Sequence, residues 1–198
     1  MTPDASSWPG PAASAAGIAA AALVLGGTLW WQWRRRAARS IGARLARACD
    51  GVLADRLVPD ADGGELHVEY LLLTGQAIMV VAVRDVVGHV FGSEAMQEWT
   101  VLGPRQRLTF ANPLPALYDR IAAVKRLLPD VPVRGVVAFT AQAQFTKGVP
   151  PNVVTLDAFL TELPAERATP EAALQAALRS AWLQLGAAAR PRHTADGR

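Results

Sequence analysis

Hydrophobic and polar positions recur with different periods along this chain, and the periods divide it into elements. From Ala12 to Trp33 the stretch "AASAAGIAAAALVLGGTLWWQW" carries no charge and is long enough to cross a hydrocarbon core of ~30 Å as a helix. Ile41, Leu45, Cys49, Val52 and Leu53 then fall at helical spacing, which predicts a helix continuing to about Leu57. Pro59 and "DADGG" end it in a loop. "ELHVEYLLL" alternates, with Leu66, Val68 and Tyr70 on one side and His67, Glu69 and Leu71 on the other, the period of a strand. "AIMVVAV" reads as a strand buried on both faces, and "HVFG", "WTVL" and "RLTF" as further pieces of the same antiparallel sheet. Leu117, Ile121, Val124 and Leu128 give a helix one apolar face, stopped by Pro129. "VRGVVAFT" is a core strand again, and "VVTLDAFLTEL" a short strand leading into a helix. Thr169, Pro170 and Glu171 form a helix start, with an N-cap, a proline at N1 and an acid in the first turn. Leu174, Leu178, Trp182 and Leu185 give that last helix an apolar face for the domain or for a partner.

This order predicts an α/β fold, a mixed sheet flanked by helices, preceded by one transmembrane helix. The expected division is a short tail over 1–11, the span over 12–33, a basic helix over 34–57, an α/β domain over 58–164, a C-terminal helix over 165–189 and a disordered tail over 190–198.

Charge strengthens the membrane reading. The net charge of +3 sits in the flanks: between Ala48 and Ala189 there are 11 Lys/Arg against 15 Asp/Glu, a net of −4. Trp30, Trp31 and Trp33 suit the interfacial aromatic belt, and Arg34, Arg35 and Arg36 follow at once. Asp4 is the only charged side chain ahead of the span, so the positive-inside rule places the N-terminus outside and the domain in the cytoplasm. A cleaved signal peptide needs a basic segment before its apolar stretch, which is absent. Three tryptophans abutting three arginines speak against a buried alanine-rich helix. Membrane lipid is the partner this pattern implies, through attraction of the arginines to anionic head groups. Nucleic acid comes second, because the domain is acidic and carries no positive patch of its own in the sequence.

Few motifs offer chemistry. There is no G-x-S-x-G, no phosphate-binding G-x-x-x-x-G-K-[ST], no G-x-G-x-x-G and no H-E-x-x-H. The single cysteine, Cys49, lies on an apolar face and reads as a buried structural thiol. His67, Glu69 and His89 are too scattered to read as a metal site rather than as solvated or hydrogen-bonded side chains. Metal-dependent phosphodiester cleavage places carboxylates on adjacent strands to hold the ion, with a cation beside them. Here the first strand offers Glu69, and the second offers Ala82 and Arg84 with Val83 facing the other way.

At this point "HVEYLLL", "AIMVVAVRDVVGHVFGSEAMQEWT", "FANPLPALYDRIAAVKRLL" and "VRGVVAFT" resemble, in order, the motifs of the nuclease-related domain (NERD) family of the restriction-endonuclease-like superfamily. The resemblance covers roughly Gly42 to Leu163, and Gly88, Gly92, Trp99, Asn112 and Pro113 fall at its spacing. It implies a restriction-endonuclease-like fold, a Mg²⁺-dependent nuclease ancestry and, commonly, a membrane span. It also implies a degenerate site. The family's strand aspartate is Glu69, the glutamate of its E-x-K is Ala82 and the lysine is Arg84. Its helical glutamate is Ala43, following Gly42, and the glutamine after Asn-Pro is Ala116. A lone carboxylate holds Mg²⁺ poorly, and a guanidinium keeps its proton.

The resemblance therefore implies a catalytically dead or weak nuclease fold that acts by binding a protein partner or, weakly, nucleic acid, with no cofactor. An active Mg²⁺-dependent endonuclease is the alternative, with Glu69 and a relocated acid such as Asp85 holding the metal and Arg84 on the phosphate. Strand alternation turns Asp85 away from Glu69 unless a bulge intervenes. In a third reading the chain is a structural membrane protein that makes contacts through its final helix.

Overall fold

The computed structural model describes residues 40–164 and 171–192, which apart from Ser40 and Ile41 belong to one unit beginning at Gly42. In chain order the elements are α1 (described over 40–48), β1 (Gly51–Pro59), β2 (Glu65–Leu73), β3 (Ile78–Arg84), β4 (Gly88–Phe91), β5 (Glu98–Leu102), β6 (Arg107–Ala111), α2 (Pro113–Leu127), β7 (Val133–Phe139), β8 (Ala143–Gln144), β9 (Val153–Thr155), α3 (Leu156–Glu162), α4 (Ala172–Ala188) and β10 (Arg190–Pro191). Among the described residues no helix is long and apolar enough to cross a membrane. The span expected over 12–33, with Trp30, Trp31, Trp33 and Arg34 to Arg36, lies outside them.

The α/β expectation holds. The main sheet is mixed and runs β10-β1-β2-β3-β7-β9, antiparallel from β10 to β3 and parallel from β3 to β9. Ile78 to Ala82 of β3 are all buried, as a strand covered on both faces must be.

Three expectations about the elements are corrected. The helix predicted to reach Leu57 stops at residue 48, and Gly51 to Pro59 form a strand paired along its length with β2, from Gly51 opposite Leu73 to Pro59 opposite Glu65. Val52 and Leu53 satisfy both periods, and the neighbouring strand decides between them. "DADGG" is accordingly the turn of a β1–β2 hairpin, in which the Asp60 carboxylate accepts from the N–H groups of Asp62 and Gly64. The second correction concerns β4, β5 and β6, which form a separate sheet in the order β6-β5-β4-β8 rather than extending the first. Gly88 lets the chain leave the main sheet: its φ is +124°, and a Cβ there would lie 2.2 Å from the Leu102 carbonyl oxygen. Finally, Arg190 and Pro191, expected in a disordered tail, pair with Leu57 and Arg56 of β1.

The helix start read at Thr169 and Pro170 lies outside the described residues, and the described helix begins after Glu171. Leu178, Ala181 and Leu185 of α4 are buried in the core, so its apolar face packs on the domain itself. The same core joins the two sheets. Fully buried Trp99 of β5 stacks on Phe139 of β7 at 6.1 Å and 11°. Helix α2 presses Leu117 and Ile121 onto β7 at Gly135, where a Cβ would meet the Ile121 side chain at 2.6 Å.

Candidate functional site

The ladder between β2 and β3 ends at Tyr70 opposite Val81. Continued by one step, the register would set Glu69 against Ala82. No further pair forms there, and the Val83 N–H, which faces β2, has no β2 carbonyl to meet. The Glu69 side chain supplies the acceptor: its Oε2 takes the Val83 N–H at 2.7 Å. Its Oε1 accepts from Arg84 Nη1 at 2.9 Å, and the same nitrogen donates to the Val83 carbonyl at 2.8 Å. Both side chains are about one quarter exposed, 27% for Glu69 and 28% for Arg84. The sequence-derived pair of Glu69 and Arg84 is thus brought together, as a clamp across the end of a strand pair.

Alternation places Ala82 on the same face, at 2% exposure and with no polar atom to offer. Sequence reasoning did not single out Arg120, which α2 carries over this region. Arg120 Nε donates to the His67 carbonyl at 2.5 Å and Nη1 to the Ala116 carbonyl at 2.7 Å. Burial lowers its pKa, Glu69 opposes that shift, and Arg84 adds to it. The signal that could have revealed Arg120 is its position one helical turn beyond Ala116. On the opposite face of β2, Tyr70 has its pKa raised by burial first and then by the charges of Glu69 and Asp55.

Other candidates are held elsewhere. Asp85 lies just past β3, exposed, and its Oδ1 accepts the Thr140 hydroxyl at 2.8 Å. It shares no partner with Glu69. His67 Nε2 lies 2.5 Å from Asp55 Oδ1, while His89 stands exposed on the second sheet. Cys49 is buried beside the carbonyls of Leu45 and Gly51. Among the described residues no three His, Cys, Asp or Glu side chains come together as a cation site.

The donor set around Glu69 does not fit the divalent ion that the resemblance leads one to expect. A hard cation of this kind is held through carboxylate oxygens. Among the described residues Glu69 supplies the carboxylate here, and each of its oxygens already accepts a hydrogen bond. Two guanidinium groups bias the surroundings against a further positive charge.

The positions that give the chain its characteristic spacing do structural work. Asn112 is 8% exposed and is the N-cap of α2, where its Oδ1 accepts the Leu114 N–H at 3.0 Å. Its Nδ2 donates to the carbonyls of Ser93, Glu94 and Met96, at 3.4, 3.1 and 2.7 Å, and so ties the β4–β5 loop to the helix. Trp99 Nε1 donates to the Ser93 carbonyl at 3.0 Å. Gly92 lies under the Trp99 ring so closely that a Cβ would sit 2.2 Å from a ring carbon.

A model of the nuclease-related domain matches residues 30–140, more than half of the 198-residue chain. The chain belongs to the nuclease-related domain family. No curated protein and no solved structure matches it. Within this NERD domain the structure separates two kinds of family position. Gly88, Gly92, Trp99, Asn112 and Pro113 hold the second sheet, the β4–β5 loop and the start of α2. Ala82, Arg84 and Ala116, where the family's reactive side chains are expected, carry a methyl, a guanidinium and a methyl.

Proposed function

We propose that this chain is a membrane-anchored, cytoplasm-facing NERD protein whose nuclease fold does not cleave nucleic acid and acts by binding. The observation that carries the reading is the state of Glu69. Its two oxygens are taken up by Val83 and Arg84, and neighbouring Ala82 brings no second carboxylate. The chemistry of metal-assisted attack needs a water or hydroxide on the metal beside the phosphate, and these residues provide no place to hold that metal. The anchor rests on the uncharged stretch over 12–33 and the Trp–Arg boundary that follows it. Binding of a protein partner by the last helix falls to its outer surface, where Leu183 is 76% exposed, because its apolar face lies in the core.

The test is plasmid cleavage by the full chain in mild detergent with Mg²⁺ or Mn²⁺, beside Glu69→Gln. The expected result is no cleavage by folded chain of either form. EDTA-sensitive cleavage that disappears in Glu69→Gln would establish a working metal site and overturn the reading.

A further inference from the structure

The β5–β6 hairpin has a surface that the nuclease fold does not use. Its turn reads "LGPRQRL", from Leu102 to Leu108. Leu102 is 44% exposed and Leu108 47%, and both are large apolar side chains that a folded domain usually covers. Val87 adds a third, 50% exposed, and lies beside the turn: a Cβ on Gly103 would be 3.1 Å from the Val87 carbonyl oxygen. Val87, Leu102 and Pro104 line one shallow groove of about 450 Å³. Arg105 and Arg107 stand exposed on the same turn, and among the described residues no carboxylate pairs with either, while Arg107 Nη2 donates to the Thr100 hydroxyl at 3.5 Å. From Trp99 to Thr109 the hairpin contains no acidic residue. The nearest acid in sequence, Glu98, lies at the far end of β5, opposite Ala111 and away from the turn.

We propose that this hairpin tip is a second membrane contact, seated on anionic lipid head groups with Val87 and Leu102 entering the boundary beneath them. The proposal rests on the membrane-anchored reading for what brings the domain near a bilayer. Charge selects the occupant. From Gly42 to Arg192 the folded unit holds 15 Lys/Arg against 15 Asp/Glu, so no net charge orients it at an anionic surface and the orientation falls to local clusters such as Arg105 and Arg107, with no acid from Trp99 to Thr109. Arginine stems lie along apolar surface while their heads stay at the phosphates, which suits a turn that alternates leucine, proline and arginine. One basic side chain near such a surface changes binding about fivefold, so two arginines together contribute roughly 25-fold.

The experiment uses the full chain in vesicles, with a fluorophore on cysteine introduced by Leu102→Cys and, as the comparison, by Leu183→Cys on α4. Cys49 is buried and stays unlabelled in the folded chain. Quenching by a nitroxide carried on lipid reads contact with the bilayer. The expected result is quenching at position 102 well above that at 183 on vesicles containing phosphatidylserine. The excess should disappear on phosphatidylcholine alone and in Arg105→Glu/Arg107→Glu, whose exposed positions leave the fold intact. Resistance to alkaline carbonate extraction reads the anchor separately. A chain that resists extraction yet shows equal quenching at both positions overturns the hairpin contact and leaves the anchor standing. A chain that is extracted loses the anchor, and the same labels with added anionic vesicles still decide the hairpin: quenching at 102 supports it and none overturns it. A label that responds to a single-stranded oligonucleotide but not to vesicles assigns the patch to nucleic acid, which also overturns the proposal.

Discussion

Glu69 offers a test whose sign separates a structural carboxylate from a functional one. A carboxylate kept for metal binding sits uncomfortably in the apo fold, and its removal commonly stabilises the protein. The Glu69 clamp predicts the reverse. Glu69→Ala removes the acceptor of the Val83 N–H at 2.7 Å and the partner of Arg84 at 2.9 Å. Hydrogen bonds to charged groups contribute about 1.5–3 kcal/mol each, and exposure of more than a quarter screens the ionic part. The expected loss is therefore roughly 2–4 kcal/mol, or a fall in Tm of roughly 5–12 °C for a chain of this size. Glu69→Gln keeps an oxygen for Val83 and loses only the charge, so about half of that loss is expected. Arg84→Ala should cost about 1 kcal/mol, because Glu69 retains its backbone partner. Thermal and urea denaturation followed by circular dichroism would measure all three, and a double-mutant cycle between positions 69 and 84 isolates the pair. A coupling energy near zero, or a Glu69→Ala protein more stable than the parent, would refute the clamp and return Glu69 to the list of candidate ligands.

Asn112→Ala should destabilise by roughly 2–3 kcal/mol, since an N-cap is worth about 1 kcal/mol and three loop carbonyls lose their donor as well. Asn112→Asp keeps the cap and lacks the donor, so urea midpoints should place it between the parent and the alanine variant. In Gly92→Ala the new methyl meets the buried Trp99 ring, and a loss near the upper end of ~1–3 kcal/mol is expected with a changed tryptophan emission. Tyr70 has a raised folded pKa, so its contribution is fully present below the unfolded value of about 10 and is lost as pH rises through the folded value. Stability measured from pH 9 upward should fall with a slope that Tyr70→Phe reduces. An unchanged slope would mean that another group governs the alkaline loss.

Much of this protein is legible in order along the chain. Alternation marks β2 and an unbroken apolar run marks β3, because a strand buried on one face or on both shows that burial in its own residues. Asn112 and Pro113 announce the start of α2 through local backbone geometry. That Ala82, Arg84 and Ala116 stand where the resemblance leads one to expect reactive side chains is also a local reading, since residue identity needs no structure.

What only the tertiary structure decided is which segment meets which. Val52 and Leu53 fit a helix as well as a strand, and pairing with Val68 to Leu73 across a hairpin made β1 a strand. No period in "HVFG" or "WTVL" says whether they extend the first sheet or form a second. Gly88 and the burial of Trp99 against Phe139 settled that. Arg120 lies 51 residues from Glu69 in the chain, and only the seating of α2 on Gly135 brings it near. The lock on Glu69 was likewise out of reach, because it depends on the β2–β3 ladder stopping at Tyr70 and Val81 and exposing one N–H. Periodicity records the environment each residue needs. The partner that supplies that environment is chosen by packing across the whole chain.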